Sequence, residues 1–121
     1  MTTKIGRRYE LIAGHWLPYV ADDHKCKRKH GHNYVIEIAL EGEVRKDGFI
    51  LDFYDLDNVV NPLLAQLDHT MLNEHEGLEN PTAELIAEWF YRKLEYKMDL
   101  NCEVSSVTVW ETKDCWASYC K

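Results

Sequence analysis

One alternating stretch limits the folds that this chain can adopt. Between residues 30 and 40 every second side chain is a histidine, an aromatic or an aliphatic residue: His30, His32, Tyr34, Ile36, Ile38 and Leu40. Asn33, Glu37 and Glu41 carry polar side chains on the opposite parity. A period of two is typical of a β-strand that buries one face. The stretch therefore predicts a strand in a half-buried sheet, with two histidines at the start of the buried face.

Other segments predict three more strands. An earlier alternation, with Arg7 as its exception, predicts a strand that ends at His15. β-branched residues predict a strand over 104–112 and a short final one over 116–119, and residues 49–53 are expected to be extended. With two helices between the strand pairs, this order is typical of an α+β fold: a four-stranded antiparallel sheet with both helices on one face.

Apolar residues at helical spacing predict the two helices. The stripe of the first consists of Leu56, Val59, Val60, Leu63, Leu64 and Leu67. Asp52 or Asp55 is expected to cap it, and Pro62 to kink it or to remove one hydrogen bond. The second is expected to have Asn80 as its cap and Pro81 at its first position. Its stripe consists of Leu85, Ile86, Trp89, Phe90 and Leu94.

Length and charge narrow the classes of function. The 121 residues suit one domain, 1–121, and the net charge of −7 argues against a nucleic-acid partner. Lys25, Lys27, Arg28 and Lys29 nevertheless form a basic cluster, either a solvated loop or a pocket for a phosphorylated ligand. The N-terminal residues lack the apolar core of a signal peptide, and no apolar run is long enough to span a membrane. We expect a cytoplasmic protein whose four cysteines are free thiols.

Three histidines predict a metal site. His30 and His32 are two residues apart on one strand, so both imidazoles point to the same face. His15 ends the neighbouring strand with matching parity, and adjacent strands lie about 4.8 Å apart. Three neutral nitrogens suit Zn²⁺ and leave a fourth position for water or substrate. The alternative is a turn with incidental histidines, and the nearby Cys26 favours the metal site over it.

Cys26 has two interpretations. As a fourth ligand it would close a structural Cys/His₃ site, and the spacing alone leaves this open. The flanking Lys25 and Lys27 instead favour the thiolate form of a cysteine, which could act as a base or a nucleophile.

Asp68, His69 and Glu111 are further candidates. An aspartate can fix the tautomer of an adjacent histidine, whereas the alternative for His69 is a response to the dipole of the preceding helix. Glu111 has the parity of a buried face, where a carboxylate needs a donor such as the amino edge of a pterin or guanine; its alternative is a solvated strand end. His24 and His75 are expected to be solvated.

Six stretches in order resemble the 6-pyruvoyltetrahydropterin synthase / 6-carboxytetrahydropterin synthase family over nearly the whole chain. They are AGHWLP at 13–18, CKRKHGHNY at 26–34, GFILDF at 48–53, LDHTMLN at 67–73, GLENPTAE at 77–84 and VWET at 109–112. Gly14 departs from the family's usual alanine. The three residues between Cys26 and His30 resemble the 6-carboxy branch of queuosine and other deazapurine pathways, since the 6-pyruvoyl branch tends to have a longer gap. A folate-pathway branch carries a glutamate in this loop, where the chain has only basic residues.

The resemblance implies a tunnelling fold, in which subunits join their sheets into a barrel and two rings stack, here as a homohexamer formed by a dimer of trimers. It implies roles for eight residues: zinc ligands His15, His30 and His32; catalytic Cys26, Asp68 and His69; and Glu111 and Thr82 at the pterin. A hold on the triphosphate by Lys27 and Arg28 is a hypothesis from charge alone.

The implied reaction converts 7,8-dihydroneopterin triphosphate to 6-carboxy-5,6,7,8-tetrahydropterin, with carbon–carbon cleavage and release of acetaldehyde and triphosphate. One alternative is the 6-pyruvoyl product from the same substrate. Another is a structural zinc module without turnover. A generic zinc hydrolase is disfavoured because the chain has no HExxH pair.

Overall fold

The second strand forms the centre of the fold, as its alternation predicts. The computed structural model describes residues 2–98 and 101–121. Its helices and strands are β1 (Thr3–His15), β2 (His30–Gly42), α1 (Phe53–Leu67), α2 (Ala83–Leu94), β3 (Cys102–Trp110) and β4 (Trp116–Cys120). The four strands form one antiparallel sheet in the order β1-β2-β3-β4. The predicted α+β architecture is confirmed.

The core lies between the sheet and the helices. On β2, Tyr34, Ile36, Ile38 and Leu40 are fully buried, while the residues between them are partly exposed. α1 and α2 bury their apolar stripes in the same cluster, which includes Leu56 and Phe90. Both helices therefore cover one face of the sheet, and the histidines of β2 lie on that face just beyond the apolar part. Neither described helix has the length and hydropathy that crossing a membrane requires.

The first helix begins and ends as the sequence predicts. Asp52 is its N-cap, and the Asp52 side chain accepts a hydrogen bond from the Tyr54 backbone N–H at 2.9 Å. The helix continues through Pro62 to Leu67, with the proline on the exposed side. Asp68 follows directly as the C-cap, so the end of the core helix sets the position of a candidate catalytic residue.

The predicted start of the second helix was wrong. Its N-cap is Thr82, whose Oγ1 accepts from the Leu85 backbone N–H at 3.2 Å, and helical residues begin at Ala83. A threonine hydroxyl is a direct cap for an N3 amide. The Thr82 N–H is bonded to the Asn80 carbonyl, so these residues form a turn before the helix. Leu85, expected in the apolar stripe, is 39% exposed.

Two predicted extended segments differ from the structure. The segment 49–53, predicted to be extended, is irregular with bends at the buried Ile50 and Leu51, and Phe53 is already the first residue of α1. β3 begins at Cys102 and ends at Trp110, so Glu111 lies just past the strand, with its backbone N–H bonded to the Cys115 carbonyl. This short connection to β4 leaves Glu111 on the parity of the core-facing residues.

Candidate metal centre and active site

The sheet brings three imidazoles together at one end. His15 pairs with His30 across the β1–β2 ladder, and His32 pairs with Ala13 two residues further along. The ring centroids of His15 lie 4.5 Å from those of His30 and 5.0 Å from those of His32. His30 and His32 are 4.9 Å apart. The predicted convergence of the three rings is present in the structure.

Backbone carbonyls fix the tautomers of two of these rings. His15 Nδ1 is 2.8 Å from the Pro81 carbonyl oxygen, and His30 Nδ1 is 2.7 Å from the Arg28 carbonyl oxygen. A carbonyl oxygen only accepts, so each Nδ1 carries the proton and each Nε2 of a neutral ring carries a lone pair. These two Nε2 atoms face each other at 2.9 Å. Two lone pairs this close need a cation between them.

Glu111 completes a group of four donors. Its Oε1 lies 2.9 Å from His32 Nε2 and 3.7 Å from His15 Nε2. His32 Nε2 is buried close to this carboxylate, and it has no other polar partner that satisfies it among the described residues. One ligand atom from each of His15, His30, His32 and Glu111 lies within 4.8 Å of the other three.

Burial favours the neutral form of His15 and His32. His15 is fully buried, and the loss of hydration lowers its pKa from the ordinary 6.5. The pKa of His32 is lowered by the same cause, with Glu111 opposing it. Tyr34 packs edge-on against both rings, and burial raises the pKa of its phenol. The neutral rings of His15 and His32 therefore offer nitrogen lone pairs beside the buried Tyr34 ring.

The donor set fits a divalent metal ion. Three imidazole nitrogens and one carboxylate are typical ligands of Zn²⁺, at about 2.0–2.2 Å in tetrahedral geometry. Ligand atoms in such a shell lie about 3.3 Å apart; three of the six separations here are 2.9, 2.9 and 3.7 Å, and all six are within 4.8 Å. Cys26 is not part of the cluster found among the described residues.

Two cavities meet at the histidine cluster. The larger, about 740 Å³, is lined by residues that include His32, His69, Glu111 and Lys113. The other, about 480 Å³, is lined by Lys25, Cys26, His30, His32, Glu111, Thr112 and Cys115. The cavities share His32 and Glu111, and His69 lines only the first of them whereas Cys26 lines only the second. Cys26 is a free, half-buried thiol.

Asp68 and His69 form the predicted pair, and β1 fixes their position. Asp68 Oδ2 accepts from His69 Nδ1 at 2.8 Å, while Asp68 Oδ1 accepts from the Ile12 backbone N–H at 3.0 Å. The Ile12 bond, and then His69, lower the pKa of Asp68. His69 has a φ of 60°, a left-handed conformation that is uncommon outside glycine. Its backbone N–H is bonded to the Ile12 carbonyl at 2.6 Å, which holds the chain in this conformation.

Neither cavity is lined by Lys27 or Arg28, the residues predicted to bind the triphosphate through their charge. The Lys27 ammonium donates to the Pro18 and Val20 carbonyls, at 2.8 and 3.3 Å, so it already stabilises the loop before it. Arg28 is exposed, and Lys25 is the member of the basic cluster that lines the Cys26 cavity. Thr82 caps α2 and is not among the residues lining the two cavities.

Both histidines expected to be solvated make contacts. The expectation was wrong for His75, which is half-buried with its Nε2 2.8 Å from Thr70 Oγ1. His24 is exposed, but its Nδ1 accepts from the Cys26 backbone N–H at 3.0 Å. His24 therefore caps the short turn at Lys25–Lys27 that presents the cysteine.

Sequence reasoning missed the groups that orient the ligands. The Pro81 and Arg28 carbonyls set the tautomers of His15 and His30, and a backbone acceptor leaves no mark on the residue type. The approach of the Glu111 carboxylate to the imidazoles was missed as well. Its parity was a usable signal, because it places the side chain on the histidine face.

The chain is similar to known proteins in both sequence and fold. The model of the 6-pyruvoyl tetrahydropterin synthase family matches residues 4–121. The chain belongs to this family. Within the family, it is 38% identical over 97 residues to the 6-carboxy-5,6,7,8-tetrahydropterin synthase of Synechocystis sp., covering 75% of this chain and 74% of the relative.

Other family members have different names. The dihydroneopterin monophosphate aldolase of Pyrococcus furiosus is 34% identical over 82 residues, covering 68% of this chain and 69% of the relative. The structure of Caenorhabditis elegans 6-pyruvoyl tetrahydropterin synthase superposes with a TM-score of 0.89 at 26% identity, covering 100% of this chain and 96% of that chain. The sheet with two helices is thus the fold of this family, and its named members are enzymes that act in pterin chemistry.

Proposed function

We propose that this chain is a zinc-dependent 6-carboxy-5,6,7,8-tetrahydropterin synthase. It would convert 7,8-dihydroneopterin triphosphate and water to the 6-carboxy product, acetaldehyde and triphosphate, as a cytoplasmic lyase of queuosine and other 7-deazapurine synthesis. The observation that carries the proposal is the meeting of His15, His30 and His32 beside a carboxylate, with His69 and Cys26 lining two cavities that both reach this group.

The three histidines and Glu111 would bind metal and substrate together. The chemistry that a bound zinc ion supplies is Lewis-acid polarisation of a side-chain oxygen of the substrate and stabilisation of the oxyanion that forms. The Glu111 carboxylate is close enough to be a fourth donor. Glu111 would also accept hydrogen bonds from the amino-pyrimidine edge of the pterin. If its carboxylate turned from the histidines to make this contact, it would leave a ligand position for the substrate oxygen.

Cys26 and His69 would move protons on opposite sides of the substrate. Asp68 holds the proton on His69 Nδ1, which leaves the Nε2 lone pair to accept one. Cys26 lies in the other cavity, which Lys25 also lines, and its thiol would be the second proton carrier. Two bases on two faces suit a reaction that removes and returns protons at neighbouring carbons.

Cations near the cavities would hold the triphosphate. Lys27 and Arg28 are the residues that charge predicts for this role, and Lys25 and Lys113 line the two cavities. Comparing KM for Lys27→Ala/Arg28→Ala with KM for Lys25→Ala and Lys113→Ala assigns it. An unchanged KM in the Lys27/Arg28 variant contradicts their role. Thr82 stays a prediction as a pterin contact.

Product analysis tests the proposal. The zinc-loaded protein is incubated with 7,8-dihydroneopterin triphosphate, and the products are identified by mass spectrometry with an aldehyde assay. We expect 6-carboxytetrahydropterin and one equivalent of acetaldehyde. A 6-pyruvoyl product without acetaldehyde indicates the other synthase activity. In a parallel incubation with 7,8-dihydroneopterin monophosphate, turnover of that substrate and not of the triphosphate indicates an activity like that named for the Pyrococcus furiosus relative.

Cys26→Ala separates the enzyme from a structural zinc module. We expect the variant to retain zinc and lose turnover, because the thiol lies outside the group of four donors. Loss of both zinc and folding would contradict the enzyme mechanism.

The chain is also proposed to work as a homo-oligomer, a hexamer built as a dimer of trimers. β4 and the part of β1 before Ile12 lie at the two edges of the sheet and would offer strands for pairing between subunits. Light scattering of the purified protein measures the mass directly.

A further inference from the structure

The outer edge of β1 is bonded to the segment 68–73 along the whole stretch that leads to the metal centre. Ile12 is bonded through both backbone groups, to the Asp68 carboxylate and the His69 N–H. Two residues further, the Gly14 N–H donates to the Thr70 carbonyl at 2.9 Å. A single parallel bridge joins Gly14 to Met71, so the segment runs beside β1 without forming a further strand of the sheet.

Asn73 provides the last bonds of this pairing. Its Oδ1 accepts from the Trp16 backbone N–H at 3.0 Å, and its Nδ2 donates to the Trp16 carbonyl at 2.8 Å. The amide therefore bonds to Trp16 as a neighbouring strand would. Nδ2 also lies 3.4 Å from the Glu79 carbonyl, which ties in the chain that runs on to Pro81.

These bonds surround one metal ligand. His15 lies between Gly14 and Trp16, both of which are held by the 68–73 segment. On its other side, β1 is held by β2 through the pairing of His15 with His30. β1 ends at His15. Just past this end, the Asn73 side chain makes the two bonds to the Trp16 backbone that a neighbouring strand would otherwise make.

We infer that Asn73 is a positioning residue for the metal ligand His15. It fixes the backbone on the exit side of His15, and through Glu79 it fixes the segment whose Pro81 carbonyl orients the ring. The inference rests on the proposed function, since it assumes that His15 binds metal. Groups that orient a ligand commonly change metal affinity about 10- to 100-fold when removed.

The same segment contains His69, so Asn73 also helps to set the position of this candidate proton carrier relative to His15. Asp68 and Asn73 are the two ends of a short stretch whose side chains both bond to β1, at Ile12 and Trp16. The distance between the metal ligand and the candidate proton carrier is set by this stretch. Removing Asn73 releases the end next to the metal and leaves the Asp68 end in place.

Zinc affinity and the cobalt spectrum of Asn73→Ala test the inference. Asn101→Ala is the matched control, because Asn101 Nδ2 also donates to a backbone carbonyl, that of Ile50, at the opposite end of the sheet. Zinc affinity is measured by competition with a chromophoric chelator, and the visible spectrum of the Co²⁺-substituted protein reports ligand geometry. We expect Asn73→Ala to bind zinc about 10- to 100-fold more weakly with an altered cobalt spectrum. Asn101→Ala should match the wild type in both.

A second variant covers a failure to fold. Asn73→Asp has the same shape and keeps an acceptor for the Trp16 N–H, but it places a carboxylate oxygen against two carbonyls. It should shift zinc affinity in the same direction. Wild-type affinity and cobalt spectrum in whichever variant folds would overturn the inference, even with a lower melting temperature. Failure of the wild-type protein to bind zinc would instead overturn the proposed function.

Discussion

The core-facing side of β2 contains two halves with one periodicity and opposite chemistry. In one half Ile36, Ile38 and Leu40 are fully buried against the helices. In the other, His30 and His32 continue the same alternation, but their ring nitrogens face His15 and Glu111 at close range. The apolar half is complete within the chain, whereas the histidine half has lone pairs directed at a common point.

The difference teaches that periodicity decides where side chains point, and that the surrounding loops decide what they do. The apolar half needs only the two helices over it. The histidine half needs the Pro81 and Arg28 carbonyls to set tautomers and the segment after α1 to hold the end of β1. Substitutions in the two halves should therefore have separable effects.

The largest effect is expected from His32→Ala, compared with Leu40→Ala. Loss of one of three imidazoles should remove zinc and lower kcat/KM about a thousandfold or more, since a metal supplies several kcal/mol of transition-state stabilisation. Leu40→Ala should cost about 2–5 kcal/mol of unfolding free energy and leave one zinc per chain. Metal analysis and denaturant titration measure both. Equal zinc loss in the folded form of the two variants would end the distinction between the halves.

Asp68→Asn should give the next largest effect. The amide can still accept from the Ile12 N–H, but its NH₂ group facing His69 Nδ1 would favour the opposite tautomer. We expect kcat to fall about a hundredfold with little change in KM or zinc content. Asp57→Asn is the control, because Asp57 Oδ1 also accepts from a ring group, the Tyr9 hydroxyl. A normal kcat in Asp68→Asn would exclude a tautomer role for Asp68.

Acid should lower the free energy of unfolding through His15 and His32 in the histidine half. Burial lowers the pKa of His15 and His32 below 6.5, so between those lowered values and 6.5 the unfolded chain binds more protons than the folded one. Their contribution to stability is full above about 6.5 and is lost as pH falls through the lowered values. Denaturant titration of chelator-treated protein from pH 8 to 5 should show this decline. A variant with both residues changed to glutamine should show less of it, and an equal decline would contradict this cause.

The smallest effect is expected at Thr82, outside both halves. Thr82→Ala removes the α2 cap and should lower the unfolding free energy by about 1 kcal/mol, with Thr82→Ser close to the wild type. Zinc affinity should not change. A rise in KM in the alanine variant but not in the serine variant would add the predicted pterin contact to the capping role.

Much of the fold could be predicted because strong periodic patterns match the burial of single elements. The parity of β2, the apolar stripe of α1 and the strand position of His15 needed no knowledge of the partners. The start of α2 was mispredicted because Asn80 and Thr82 are both good caps, and the structure uses Thr82 with Asn80 in the turn before it. Local preference does not resolve two adjacent signals of similar strength.

The convergence of the three imidazoles could be predicted, but the hydrogen-bonded arrangement around them could not. Parity placed three imidazoles at one end, and resemblance supplied roles for Cys26 and the Asp68–His69 pair. The Pro81 carbonyl reaches His15 across 66 residues of sequence, and Lys27 uses its charge on loop carbonyls. Such contacts depend on how loops cross in three dimensions, which no local pattern records.

X-ray absorption at the zinc edge of the zinc-loaded protein tests the central claim most directly. Zinc–nitrogen and zinc–oxygen distances are about 2.0–2.2 Å, and zinc–sulfur distances about 2.3 Å. We predict a shell of nitrogen and oxygen donors only, with three imidazoles, and the same shell in Cys26→Ala. A sulfur scatterer at about 2.3 Å that disappears in Cys26→Ala would show that the cysteine is a ligand and would contradict the account.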